Sequence, residues 1–180
     1  KYPNRKIYSV ESLCASVGEG LLVLNAAIQK MNGLDIDQLK TWLEQNKCNA
    51  RHWFTVKDLM YLKRGGRLSS IEALIGTALR IKPVLSTDEA GKLVIVSKLR
   101  GSRAEFEFLI NRLQMEGTDL SSQIVIIGHA DDLIQAKKLE EFVRSRNLVK
   151  DVIISKIGPI IGTHTGPGML ALTFMGEKQE

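Results

Sequence analysis

The residues best suited to chemistry in this 180-residue chain lie in a basic, glycine-rich stretch, LKRGGR at residues 62–67. Paired glycines let the backbone take φ > 0 and approach a ligand closely. The arginine fork of Arg67 matches a carboxylate or phosphate edge, so the pattern indicates an anion-binding turn at Gly65 and Gly66. The structural alternative is a helix end, where basic residues complement the dipole and glycine stops the helix. Lys63 and Arg64 are interpreted as solvated charges.

A second stretch, GPIIGTHTGPG at residues 158–168, surrounds one histidine with four glycines and two prolines. Proline fixes φ and glycine takes conformations that other residues avoid, so we expect a well-defined loop here. His164 is either a structural hydrogen-bonding group or part of a site. The hydroxyls of Thr163 and Thr165 beside it favour a small polar cluster.

Composition narrows the class of protein. Hydrophobic residues make up 44% and charged residues 25% of the chain, which is typical of a soluble globular protein. The net charge of +5 favours an anionic ligand without indicating nucleic acid. Aromatic residues make up 6%, and no apolar run reaches the length of a membrane helix. A length of 180 residues suffices for one good core or two small ones.

The cysteines and glycines argue against metals and cofactors. Cys14 and Cys48 lack CxxC or Cys/His spacing, which argues against a disulfide framework and a zinc site. This cysteine usage predicts a reducing, cytoplasmic setting. The GxG at residues 18–20 lacks the third glycine and the downstream acid of a dinucleotide fingerprint. We therefore expect no metal and no cofactor.

Hydrophobic periodicity predicts the elements before residue 49. Residues 6–10 alternate as a short strand, and residues 21–30 form an apolar helix. A second helix is expected over residues 36–46, capped by Asp35. Its predicted buried stripe, with Trp42 in the core, comprises Ile36, Leu39, Trp42 and Leu43.

The pattern changes near residue 48, where we place a domain boundary. His52 is expected to alternate to the side opposite Trp53, as a solvated or locally bonded side chain. Further along, strands and helices alternate as a sheet with helices on it, an α/β arrangement. The predicted strands are residues 50–56, 82–86, 92–97, 121–128, 152–155 and 170–174, and the predicted helices are residues 58–64, 71–79, 104–114 and 131–147. The turn residues at 88–91 predict a β-hairpin between the strands at 82–86 and 92–97.

Four motifs, in this order, resemble the DegV family: ESLCASVGEGLLV at 11–23, LKRGGRLS at 62–69, KPVL with GKL at 82–85 and 91–93, and IGPIIGTHTGPG at 157–168. The resemblance implies a two-domain fold: residues 1–48 end the first α/β domain, and residues 49–180 form a complete second α/β domain. The second domain is expected to have helices on a mixed or largely antiparallel sheet. The family has a further N-terminal segment, so the resemblance also implies that this chain corresponds to its last two-thirds.

The same resemblance implies a function. DegV-like proteins bind a long-chain fatty acid between their two domains, and several present its carboxylate to a fatty acid kinase, acting as carriers without catalytic residues. By motif, Arg67 and His164 are implied to bind the carboxylate, and Arg100 to engage the kinase. The usual Asp of the first motif is Glu11 here, so no role is carried over for that acid. The candidate lining residues are Ser12, Ser16, Gly65, Gly66, Thr163 and Thr165.

Two alternatives stay open at this point. An acyl- or phosphoryl-transfer enzyme would use Ser16 as nucleophile and His164 as base, although no third member of a triad is visible. An anion or nucleic-acid binder would act through the basic turn, but it lacks interleaved aromatics and a helix with a basic face. The cations of that alternative are Lys63, Arg64, Arg67, Lys98, Arg100 and Arg103.

Overall fold

A mixed sheet with helices on both faces forms the centre of the protein. The computed structural model describes residues 2–67, 81–88 and 91–177. Within these ranges the strands are β1 (Ala50–Thr55), β2 (Ile81–Thr87), β3 (Leu93–Arg100), β4 (Ile124–His129), β5 (Asp151–Lys156) and β6 (Leu170–Met175). The helices are α1 (Val17–Met31), α2 (Ile36–Asn46), α3 (Met60–Arg64), α4 (Ser102–Glu116), α5 (Leu133–Ser145) and α6 (Pro159–Thr165).

The sheet has the strand order β3-β2-β1-β6-β4-β5. β2 and β3 form the predicted hairpin, and β1 pairs antiparallel with β6 along its whole length. β4 and β5 are parallel and connected through α5, as a parallel pair requires a crossover. The expected α/β fold with a mixed sheet is therefore confirmed.

The two faces of the sheet bury separate apolar clusters, because successive strand residues point to opposite faces. Trp53 lies on one face with the buried residues of α4 and α5. Phe54 lies on the other face with Val17 and Leu21 of α1 and with Leu62 of α3. The candidate site lies on this second face.

Two close contacts fix the helices to the strands. Gly128 of β4 lies under α1, since a Cβ at this position would stand 2.9 Å from the Val17 side chain. On the opposite face, the buried carboxylate of Glu105 in α4 accepts a hydrogen bond from Thr55 and pairs with Lys82. Together these contacts hold α1, α4 and the end of β1 in fixed positions.

Helix α2 has the predicted bounds but not the predicted buried stripe. The Asp35 side chain accepts hydrogen bonds from the backbone N–H groups of residues 37 and 38, and the Gln38 side chain accepts one from the backbone N–H of Asp35, which makes a capping box. However, Ile36 is 45% exposed and Trp42 is only half-buried. The prediction of Trp42 as a core residue is wrong, because α2 packs mainly on α1 and on the turn at Lys47–Asn49.

The strand predicted at residues 6–10 does not form in the structure. These residues have no regular secondary structure and pair with no strand among the described residues. Lys6 and Tyr8, two residues apart, both donate hydrogen bonds to the carboxylate of Asp37 in α2. Alternation here reflects contact with a helix surface.

Two further predictions differ from the structure, and a third is not tested by it. Residues 158–168 were predicted to be a loop but contain helix α6, which begins with Pro159. Proline suits the first position of a helix, because the backbone N–H that it lacks would have no acceptor within the helix. β4 begins at Ile124, since Leu120–Ser122 form a 3-10 turn. The predicted helix at residues 71–79 lies outside the described residues. The domain boundary at residue 48 stays a prediction.

Candidate functional site

A cavity of about 490 Å³ lies on the α1 face of the sheet. Its walls come from residues 11–18 before and at the start of α1, from β1, from the ends of α3 and of the β2–β3 turn, and from α6 and β6. This volume falls within the roughly 300–1,000 Å³ that is usual for small-molecule sites.

Most of the cavity wall is apolar, with polar groups at a few places. The apolar lining residues are Leu13, Ala15, Val17, Phe54, Leu62, Leu93, Ile160, Ile161, Met169 and Ala171. The charged and polar ones include Arg67 and His164 at one part of the wall and His52 and Thr87 at another. Such a lining suits a molecule with a long apolar body and a small anionic group.

Arg67 reaches the cavity from the turn that ends α3. Gly66 has φ +69°, and the backbone N–H of Arg67 donates to Leu62 O at 2.9 Å, which is the Schellman arrangement of a helix end. The helix-end interpretation of this stretch is thus confirmed, and Arg67 lines the cavity as well. Its Nη1 donates to Gly65 O at 2.8 Å, which orients the guanidinium.

His164 reaches the same cavity from the last turn of α6. Its Nδ1 is buried and has no hydrogen-bond partner among the described residues. A Cβ on residue 65 would lie 2.1 Å from this Nδ1, so the imidazole occupies the space that a side chain would need. Because Nδ1 faces Gly65, Nε2 is the ring nitrogen that a ligand can reach.

Three glycines let the α3 and α6 segments approach this closely. Besides the His164–Gly65 contact, a Cβ on Gly166 would lie 2.5 Å from the Tyr61 ring, and one on Gly168 would lie 2.2 Å from the Lys57 side chain. We call these three contacts the glycine interface. The interface places Arg67 and His164, far apart in sequence, on one cavity wall.

Ser12 and Ser16, the serines predicted to line the ligand site, both lie on the cavity wall. Ser12 accepts a hydrogen bond from the Cys14 backbone N–H at 3.3 Å and donates to Cys14 O at 3.2 Å. Ser16 precedes α1 with φ 56°, and its side chain makes no capping hydrogen bond. Ser16 and His164 both line the cavity, but no hydrogen bond joins them in the part of the chain that the structure describes.

The remaining candidate residues lie at or outside the edge of the cavity. Thr165 is buried and lines it, but its hydroxyl donates to Ile161 O at 3.0 Å. Thr163 is exposed, bonds Pro159 O at 2.7 Å and is not among the lining residues. Gly65 and Gly66 shape the turn behind Arg67. Arg100 is exposed at the end of β3, away from the cavity wall.

His52 was missed as a site residue. It lines the cavity, and its Nε2 lies 3.2 Å from Thr87 Oγ1 while its Nδ1 lies 4.0 Å from Cys14 Sγ. Burial lowers the pKa of His52, so this imidazole is neutral at pH 7. The available signal was its alternation with Trp53, which puts His52 on the same face of β1 as Phe54.

The thiol beside His52 is not an activated nucleophile. Burial raises the pKa of Cys14 to about 11, which keeps this thiol protonated at neutral pH. Among the described residues, no three His, Cys, Asp or Glu side chains are placed to share a metal ion. None of the helices in these ranges is both long and apolar enough to cross a membrane.

A family model described as "Uncharacterised protein, DegV family" matches residues 1–177. The chain belongs to the DegV family. It is 41% identical to a DegV domain-containing protein of Clostridium perfringens over 180 residues, which cover 100% of this chain and 62% of the relative. The chain thus spans about three fifths of the length of this relative.

Solved DegV structures share the fold. A fatty acid binding DegV family protein from Streptococcus agalactiae is 30% identical, with a TM-score of 0.77, and the match covers 99% of this chain and 62% of that one. The Streptococcus pneumoniae Fatty Acid Kinase B3 protein, loaded with linoleic acid, has a TM-score of 0.84 at 20% identity and covers 98% and 62%. The second likeness shows the fold alone.

We expect the half-buried, neutral His52 to make the DegV protein less stable in mild acid. As the pH falls below the ordinary histidine pKa of 6.5, the unfolded chain binds a proton that the folded chain, with its lowered pKa, does not bind. The free energy of unfolding therefore falls between pH 6.5 and the folded-state pKa. Urea unfolding at about pH 7.5 and about pH 5.5 should show that the free energy of unfolding falls less for His52→Gln than for the wild type. An equal fall in the two proteins would show that His52 is not the cause of the acid sensitivity.

Proposed function

We propose that this protein is a carrier that binds a long-chain fatty acid in the cavity, with the carboxylate at Arg67 and His164. One observation carries the proposal: a guanidinium and an imidazole lie together on one otherwise mostly apolar cavity wall. The two features together match a molecule that has a hydrocarbon chain and an acidic end.

The polar end of the site has donors left for a carboxylate. Arg67 uses Nη1 for Gly65 O, and a guanidinium has five N–H donors in all. His164 can offer an N–H through Nε2. Hydrogen bonds between such donors and a carboxylate are charge-assisted and roughly twice as strong as neutral ones. This end therefore fixes the orientation of the ligand.

The apolar wall accounts for most of the affinity that we expect. Burying a hydrocarbon chain contributes on the order of 0.8 kcal/mol per methylene group. Side chains from four separate parts of the fold supply the wall, including Val17, Phe54, Leu93 and Ile161. The fatty acid binding of the Streptococcus agalactiae relative, at 30% identity, supports the same ligand class here.

The chemistry of the cavity supports a carrier over an enzyme. Ser16 is not hydrogen-bonded to His164 in the described part of the chain, and Cys14 is held in its protonated form.

Both cysteines are free thiols, and we place the carrier in the cytoplasm, where thiols stay reduced.

A carrier of this kind would present the bound carboxylate to a fatty acid kinase. The name of the Streptococcus pneumoniae neighbour associates that protein with such a kinase. We propose Arg100 as a contact for the kinase here, since it is exposed and free of the cavity wall.

Removing either polar group should weaken fatty-acid retention. A hydrogen bond to a charged group contributes about 1.5–3 kcal/mol, so Arg67→Ala or His164→Ala should each weaken binding roughly tenfold to a hundredfold. Native mass spectrometry and competition titration with a fluorescent fatty acid would measure this. Thr163→Val is the matched control, because its hydroxyl lies on α6 outside the cavity. Retention unchanged in both alanine variants would remove these residues from the site.

A methyl group on residue 65 should also weaken binding, through His164. The φ of Gly65 is −75°, which alanine adopts freely, so Gly65→Ala tests space and not backbone strain. The new Cβ must displace the imidazole, and we expect fatty-acid affinity to fall about tenfold, with a changed chemical shift for the His164 ring. Gly162→Ala on α6, whose Cβ would meet nothing within 4 Å, should bind normally. Normal binding by Gly65→Ala would show that this imidazole position is unimportant.

Kinase presentation should depend on Arg100 without affecting the ligand. We expect Arg100→Ala to retain fatty acid like the wild type but to slow its phosphorylation by a fatty acid kinase by tenfold or more, about 1.4 kcal/mol. Arg103→Ala serves as the control, since Arg103 is also exposed and pairs within α4, with Glu107. Equal phosphorylation rates in all three proteins would exclude Arg100 as the contact.

A further inference from the structure

A second cavity of about 290 Å³ adjoins the first. Five residues line both cavities: Leu13, Cys14, His52, Thr87 and Gly91. The other residues of the second cavity are Lys47, Cys48, Asn49, Ala50, Arg51 and Asp88. The shared residues form a partition between the two spaces, with His52 among them.

Strand β1 runs past both cavities, and its residues give their order in space. Thr55 ends β1 next to the segment that leads to Arg67, and Phe54 and His52 line the first cavity below that end. Ala50, on the same face and about 6.6 Å beyond His52, lines the second cavity. Going along β1 from the carboxylate end, the order is therefore Phe54, His52 and then the second cavity.

The partition at His52 is made by side chains in contact. The imidazole lies between Thr87 Oγ1 at 3.2 Å and Cys14 Sγ at 4.0 Å, and the Cys14 thiol also lies 3.9 Å from Ala50 O. Burial keeps both Cys14 and His52 uncharged at neutral pH. A neutral partition can face the end of a hydrocarbon chain without the large desolvation cost of a buried charge.

The second cavity does not offer a separate anion site. The two cations among its lining residues are already paired, Lys47 with Glu44 at 2.7 Å and Arg51 with Glu116 at 2.9 Å. What it offers is unfilled space in line with the ligand cavity.

We propose that His52 closes the far end of the ligand cavity and sets the length of the acyl chain that this protein accepts. Replacing the imidazole with a small side chain joins the two cavities, and a larger ring shortens the first. The inference rests on the fatty-acid carrier function and adds a length-selecting residue to it.

The test is a chain-length profile measured on the full chain. Saturated fatty acids from lauric to arachidic acid compete with one fluorescent fatty acid for the wild type, His52→Ala and His52→Phe. His52→Ala should shift the ratio of affinities about tenfold towards the longer acids, and His52→Phe should shift it towards the shorter ones. Circular dichroism and thermal unfolding identify a variant that fails to fold, in which case the other variant decides.

His164→Ala separates this inference from the carrier function. It should lower the affinity for every acid while leaving the length profile unchanged. A lower affinity in His164→Ala together with unshifted profiles in both His52 variants would overturn the role of His52 alone. Absence of fatty-acid binding by the wild type would overturn the carrier function and this inference with it.

Discussion

The site depends on one physical constraint: the α3 and α6 segments touch where three residues have no side chain. Gly65 accommodates the His164 imidazole, while Gly166 and Gly168 accommodate Tyr61 and Lys57. Gly166 and Gly168 also have positive φ angles, of 75° and 84°, which other residues adopt with strain. Each segment supplies both a glycine and a side chain that fills the space at a glycine of the other segment. Neither segment can therefore shift without losing packing on the other. Arg67 and His164 therefore hold their relative positions through backbone packing and without a bond between them.

The sheet supplies a second constraint, because one of its faces packs against α4 and α5 and the other lines the cavity. On the face of β1 opposite the cavity, Trp53 packs against α4 and α5. On that face Glu105 of α4 accepts a hydrogen bond from Thr55, which fixes the end of β1. This leaves the face of Phe54 to pack on α1 and to line the cavity. Gly128 lets α1 lie close to the sheet, and the residues before α1 then reach over the cavity. The stable core and the site thus share strands without competing for the same side chains.

Much of this fold follows from local patterns, and much of the site does not. Alternation and turn residues predict the β2–β3 hairpin, and Asp35 predicts the start of α2, because these are short-range effects. The α6 helix was missed because Gly, Pro and Thr are poor helix formers, although proline suits its first position. The sequence motifs indicated Arg67 and His164, but their common cavity arises from long-range packing. The sequence predicted the side of β1 on which His52 lies but not its place in the cavity wall, because that depends on packing against residues 11–18, which no pattern around β1 reveals.

The polarity of the cavity gives its occupant a direction. A guanidinium stays charged at any physiological pH, so the Arg67 end favours an anion. At the far end, the desolvated His52 and Cys14 are neutral, and a carboxylate placed there would lose hydration without meeting a cation, since Lys47 and Arg51 are paired elsewhere. An acid that entered with its polar end towards His52 would therefore be disfavoured. Orientation results from the contrast between the two ends, so both ends are needed for a ligand to be held one way round.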